Sequence, residues 1–184
     1  MRYLVLSSFL LLLLASCSTS KLLVNKEKQS IPFWTSEWIE ETKKNDFRIT
    51  ITTPKANITG IFMVKKIDGK WKGSIINEFG IKVLDFESSA KECNLFNVLS
   101  FIDKWYIRET LASDIQFIME IDNPNFASGV KVTRCFSDDI LTINYKNQKE
   151  LRRFSNEKIE LKNIRRGLTY TFTKISTNYT NYTN

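Results

Sequence analysis

Histidine is missing from all 184 residues of the sequence, and that absence removes most hydrolytic chemistry. Without an imidazole there is no Ser-His-Asp or Cys-His nucleophile activation, no His-ligated zinc and no His general base. Glycine is scarce, and its six copies are scattered singly, so no Gly-rich loop is available to cradle a phosphate. Adjacent carboxylates occur at Glu40-Glu41 and Asp138-Asp139. Each pair falls in a stretch read as a helix end or turn, and neighbours along a chain do not face one another as a general acid and base must. No catalytic residue, metal site or cofactor is therefore expected, and the chain is read as a non-enzyme. Nor does it hold an apolar run of the roughly 20 residues that cross a bilayer. Cysteine is limited to Cys17, Cys93 and Cys135. The last two either bridge or stay as buried free thiols, and the second is favoured because a domain of this size needs no staple.

What is present begins at the first residues. Arg2 is followed by an apolar stretch from Tyr3 to Leu14, about the length of a secretory h-region and too short for a spanning helix. Leu14-Ala15-Ser16-Cys17 then resembles the bacterial lipobox, in which the cysteine thiol takes a diacylglycerol before cleavage. An ordinary signal peptide with a chance cysteine is the alternative. The resemblance implies that Cys17 becomes a triacylated N-terminus, enough hydrocarbon to anchor a protein that one chain would hold only weakly. Ser18 stands where lipoproteins retained in the inner membrane usually carry Asp, which implies the outer membrane. The acidic run that marks some surface-exposed lipoproteins is missing, which implies the periplasmic face. The expected organisation is a signal peptide over 1–16, a lipidated N-terminus and Lys-rich tether over 17–30, one domain over 31–176, and a disordered Asn-Tyr-Thr tail over 177–184. Net charge is +7, one less without Arg2. After export that balance excludes most nucleic acid and points to anionic lipid headgroups, lipopolysaccharide or an acidic protein, unless it simply reflects genome composition.

Along the domain, Trp34, Trp38 and Ile39 follow Pro32 at helical spacing, so a short amphipathic helix is expected over 31–41, packed on a core or touching a bilayer. Strands follow at 47–53, 58–67, 70–76 and 81–86, with hairpin turns at Asp68-Gly69 and Asn77–Gly80. Trp105, Ile107, Leu111, Ile115, Ile118 and Met119 recur at steps of three and four, which predicts one or two helices within 94–121 before Pro124. Strands resume at 130–136, 140–145, 158–163 and 168–175. The fold class is α+β: an unclosed, strongly curved antiparallel half-barrel with helices on its concave face. Ile61-Phe62-Met63-Val64 and Ile75-Ile76 break the alternation, as a sheet does when it meets either a second layer or an apolar cavity. By strand position, Ile49, Ile61, Met63, Ile75, Val83 and Phe86 are the candidate cavity lining.

Ile58-Thr59-Gly60, Val64-Lys65-Lys66, Lys70-Trp71, Ile75-Ile76-Asn77-Glu78-Phe79-Gly80 and Val83-Leu84-Asp85-Phe86, read in order, resemble the LolB family of outer-membrane lipoprotein receptors. The closing pair Lys158–Leu161 and Leu168–Phe172 looks like that family's last hairpin. The resemblance covers the first half of the domain and its final strands. It implies the LolA/LolB fold, no nucleotide or metal, and a monomer that accepts acylated lipoproteins or acyl chains from a LolA-like periplasmic carrier and delivers them to the outer membrane. It also implies that Phe79, beside Gly80, is the loop-tip residue that inserts into the membrane. A Phe there either enters the interface or folds back on the core. Glu78 stands where family members often have Pro, and 94–121 matches no motif of the family. An accessory lipoprotein that binds a protein partner and carries no lipid is the alternative function.

Overall fold

Alternation of apolar and polar residues is what sets the strands. In Phe47-Arg48-Ile49 the two apolar side chains are buried and Arg48 is exposed, the period-2 pattern of a sheet with one covered face. The structure is a computed structural model, and it describes residues 32–127, 132–146, 148–154 and 157–175. Within them run β1 (Asn45–Thr52), β2 (Asn57–Ile67), β3 (Lys70–Asn77), β4 (Lys82–Ser88) and β5 (Cys93–Phe96), then helices α1 (Trp105–Glu120) and α2 (Pro124–Ala127). The chain continues with β6 (Val132–Ser137), β7 (Ile140–Tyr145), β8 (Lys149–Phe154), β9 (Lys158–Asn163) and β10 (Leu168–Lys174). All ten strands join one antiparallel, unclosed sheet in the order β5-β4-β3-β2-β1-β10-β9-β8-β7-β6. Two consecutive meanders are thus joined where β1 pairs with β10. The lipid-anchor cysteine Cys17, the signal peptide, the tether and the tail over 177–184 lie outside the described residues. No helix among the described residues is long and apolar enough to cross a membrane.

The register places Phe47, Phe62, Ile75 and Leu84 in one row across β1 to β4. Phe62 is the hub: it stacks on Phe86 at 5.3 Å and meets Phe172 edge-on at 5.3 Å. Each such fully buried aromatic contributes about 1.5–3 kcal/mol. Gly73 makes room for the stack, because a Cβ there would overlap the Phe86 ring and the Met63 carbonyl. The opposite face carries Thr50 opposite Thr59 on one side and Thr171 on the other, side chains that suit a solvated sheet surface.

Helix α1 follows from the 3.6-residue period of Leu111, Asp114, Ile115 and Ile118, which are all buried. Pro124, lacking an amide hydrogen, stands just beyond its end and opens the single turn α2. Hydrogen bonds tie α1 down along its length. Arg108 donates to the Leu95 carbonyl at 2.8 Å, Gln116 to the Ser89 carbonyl at 3.0 Å, and Lys149 of β8 to the Ser113 carbonyl at 2.7 Å. At its far end Arg134 of β6 donates to Asp122 and to the Ile121 carbonyl.

Three expectations need correction. The helix expected over 31–41 is a series of turns. Asp122 takes the amides of Phe33 and Trp34, at 2.8 and 2.7 Å, and the Thr35 carbonyl takes those of Trp38 and Ile39 in one local turn, but the next amide, that of Glu40, turns to Asn45 Oδ1 at 2.9 Å and the turn is not propagated. Its apolar side chains do pack inward, with Phe33, Trp38 and Ile39 buried. The stretch 94–121 holds the short edge strand β5 as well as α1, and β8 was not foreseen. Cys93 and Cys135 are both free, and each is half-buried rather than buried; they sit on β5 and β6, the two edge strands.

Burial pushes the Cys93 thiol up to about 12, against a contact with Ser88 that lowers it. Because burial disfavours the thiolate in the folded state, stability is unaffected by this group below the ordinary 9.0 and falls as pH rises from there toward about 12. Alkylation of the native protein near pH 8 is expected to leave Cys93 largely unmodified and to label it fully after denaturation, read by peptide mass spectrometry.

Candidate functional site

At one end of α1 the sheet and helix do not fill the space between them. A cavity of about 410 Å³ remains, lined by Ile49, Ile51, Ile58, Ile75, Val83, Leu84, Leu168 and Tyr170 from the sheet and by Tyr106, Ile107, Thr110 and Leu111 from α1. Phe101 and Ile102, in the loop before α1, complete it. That volume falls in the range of about 300–1,000 Å³ usual for small-molecule sites. The cavity is deep: Ile49, Leu84, Leu111 and Tyr170 are buried, whereas Ile58 and Tyr106 are exposed and Phe101 is 63% exposed. Polar side chains of Thr53, Thr59, Asn77 and Arg166 stand at the ends of β1, β2 and β3 and in the β9–β10 turn, so polarity is concentrated at the mouth.

Beneath the cavity lies a buried polar cluster. The Asp114 carboxylate, 1% exposed, accepts from Asn163 Nδ2 at 2.9 and 3.0 Å and from the Tyr170 hydroxyl at 2.8 Å. It also pairs with Lys149 Nζ at 2.7 Å. Burial pulls the Lys149 ammonium below its ordinary value, and Asp114 partly offsets this. Burial first, and then the Asp114 charge and hydrogen bond, hold the Tyr170 hydroxyl well above its ordinary value. The consequence for the cavity is that the Tyr170 hydroxyl is already engaged, leaving an apolar lining suited to hydrocarbon.

Beside the mouth is the β3–β4 turn. Asn77 Oδ1 accepts from the amides of Phe79 and Ile81 at 3.0 and 2.9 Å, and Glu78 accepts from the Thr59 hydroxyl at 2.7 Å. Gly80 sits at φ +77°, a conformation that strains any residue with a Cβ. This framework holds Phe79 at the tip, 79% exposed, rather than folded back on the core.

Of the six residues selected as cavity lining, Ile49, Ile75 and Val83 line it. Ile61 and Met63 do not: Ile61 pairs with Arg48 and Ile76 on the opposite face and is 38% exposed. The reason is parity, since an unbroken apolar run does not say which member points inward. Phe86 points inward but is buried under Phe62, outside the cavity. Missed altogether were Ile51, Ile58, Leu168 and Tyr170, which the alternation of β1, β2 and β10 places on the helix-facing side.

A second cavity, about 760 Å³, lies at the other end of α1 and is of another character. Glu40, Glu41, Lys66, Glu120, Asp122 and Asn123 line it along with Trp34 and Trp71. Glu120 is 3% exposed, and burial raises its carboxyl above the ordinary value against lowering by Asn123, Lys66 and Ser88. Charge on its walls makes this cavity unsuited to hydrocarbon. Among the described residues no cluster of His, Cys, Asp or Glu could hold a metal ion.

An unclosed antiparallel sheet with a helix on one face and an apolar cavity between them defines the class of this chain at the level of architecture. No family model and no curated protein matches the sequence. Among solved structures, the crystal structure of MucB is similar at 11% sequence identity with a TM-score of 0.34, over 76% of this chain. The chain spans 56% of that structure's length.

Proposed function

We propose that this chain is a lipid-binding lipoprotein that is anchored in the outer membrane through Cys17, takes acyl chains or acylated proteins from a periplasmic carrier and releases them to the membrane. The observation that carries the reading is the 410 Å³ cavity with a mainly apolar lining, in which the deep Tyr170 hydroxyl is already bonded to Asp114. In this reading the ten strands form a half-barrel, α1 lies on its concave side, and the space left between them holds hydrocarbon. Moving a chain between cavity and bilayer exchanges one apolar surrounding for another. The gain of about 0.8 kcal/mol per CH₂ over water therefore nearly cancels, and transfer in either direction stays easy. No group-transfer chemistry is needed, in keeping with a chain that has no histidine.

The test is organic extraction of the purified full chain carrying Cys17→Ser, followed by mass spectrometry. Bound lipid or acyl peptide is expected, and a cavity that stays empty would overturn the reading. Phe79→Glu probes delivery. The side chain is exposed, so the unfolding free energy is expected to change by less than about 0.5 kcal/mol. Loss of an interfacial Phe worth about 2 kcal/mol should slow delivery of a reporter lipoprotein to membranes roughly 30-fold. Unchanged delivery would sink the role of the loop.

A further inference from the structure

The rim of the apolar cavity carries more than a hydrocarbon mouth requires. Exposed rings project from it at Phe79, at Phe101 and at Trp105, which is 75% exposed and meets Tyr106 edge-on at 6.0 Å. Exposed cations stand on the same end of the fold: Lys55 in the β1–β2 turn, Lys104 before α1, and Arg165 and Arg166 in the β9–β10 turn. These turns adjoin one another, with Pro54 against Gly167 and Arg166 lining the mouth beside Thr53 and Ile58.

The pairing of charges at this end is one-sided. Three carboxylates here have partners, Glu78 the Thr59 hydroxyl, Asp103 the Arg108 guanidinium at 2.7 Å and Asp85 the Lys82 ammonium at 3.0 Å, and among the described residues the exposed Glu109 of α1 is one unpaired acid against four unpaired cations. Lys55, Lys104, Arg165 and Arg166 have neither an ion pair nor a side-chain hydrogen bond among the described residues. The N-terminus of α1, with no side-chain cap and no acid in its first turn, adds partial positive charge to the same rim. The other end of α1 is acidic, with Glu40, Glu41, Glu120 and Asp122 around the second cavity. Aromatic rings together with unpaired cations are the composition of a surface that meets a bilayer at the depth of its headgroups. A neutral bilayer would leave the four cations without counter-charge.

We propose that this rim docks on an anionic phospholipid bilayer. Phe79, Phe101 and Trp105 enter the interfacial layer, and Lys55, Lys104, Arg165 and Arg166 meet headgroup phosphates. The proposal rests on the lipid-binding reading, because docking in this orientation points the cavity mouth at the membrane. It adds to that reading the charge of the acceptor and the residues that sense it.

Trp105 is itself the probe. The full chain is reconstituted into phosphatidylcholine vesicles with brominated acyl chains, with and without about a third of phosphatidylglycerol. Its signal is taken as the difference from the Trp105→Phe variant, since the other tryptophans are buried or half-buried. Quenching of Trp105 is expected to be roughly fivefold stronger with phosphatidylglycerol. It should fall to the phosphatidylcholine level near 1 M salt, where screening acts within ~3 Å, and in the combined Lys55→Glu, Arg165→Glu, Arg166→Glu variant. Equal quenching on both vesicles, or none on either, overturns the proposal, and the latter would leave an acidic protein as the partner of these cations. Extractable lipid measured in the same preparations separates the two ideas. A filled cavity without charge-dependent quenching removes the docking proposal alone. Charge-dependent quenching with an empty cavity supports docking and removes the lipid-binding reading.

Discussion

Replacing Asp114 by alanine is expected to lower the unfolding free energy by about 3–5 kcal/mol, the usual effect of removing one partner from a buried ion pair. The size follows from what is left behind. Lys149 Nζ, with its side chain 9% exposed, would keep only the Ser113 carbonyl and hydroxyl. Asn163 and the Tyr170 hydroxyl would lose the acceptor that each now uses. A domain of ordinary stability has about 5–15 kcal/mol in all, so the variant should lie near its folding threshold. Urea unfolding reads this as a lower midpoint at unchanged slope. The paired replacement Asp114→Leu with Lys149→Met should recover most of the loss, because a buried ion pair gives little over well-packed apolar residues. A loss below about 1 kcal/mol in Asp114→Ala would show that the cluster does not hold α1 to β8, β9 and β10.

That cluster also explains which parts of the fold were legible in the sequence. In β1 to β4, β7, β9 and β10 most inward positions are apolar, with Asn45, Ser88 and Asn163 as buried polar exceptions, and alternation marks them as strands. The segment Lys149–Phe154 is not marked as a strand by apolar alternation, because its first inward residue is a lysine. What makes that lysine an interior residue is Asp114, on a different element. Strand β5, four residues long, exists only by pairing with β4, and nothing in Cys93–Phe96 is periodic enough to announce it. The helix expected at 31–41 shows the reverse failure: helical spacing is present, but the Glu40 amide bonds the Asn45 side chain of β1 instead of the preceding turn. The turn carrying Phe79 was legible from Asn77–Gly80, whereas the choice between an outward ring and one folded back on the core was not. The cavity was half legible, since strand parity separates Ile75 from Ile76 once the register is known and not before. The helical wall was visible as an apolar stripe, yet a stripe does not record that one of its ends faces empty space.

That end of the stripe supplies the test with the second largest expected effect. Ile107 is half-buried and lines the cavity, directly after the exposed Trp105 and Tyr106 in the first turn of α1. Helical side chains lean toward the N-terminus, so a larger residue at 107 extends into the space nearest the mouth. Ile107→Trp is expected to leave the fold intact, because the added ring enters a void rather than a filled core. If the ring displaces about three methylenes of a bound chain at about 0.8 kcal/mol each, affinity for a fluorescent fatty acid falls roughly 60-fold. Measured by titration beside Tyr106→Ala, which opens the mouth and should not weaken binding, this separates occupancy of the cavity from adsorption to the exposed rings around it. An Ile107→Trp variant that binds the fatty acid as tightly as the parent chain would place the ligand outside the cavity, and the lipid-carrying reading would lose the feature on which it stands.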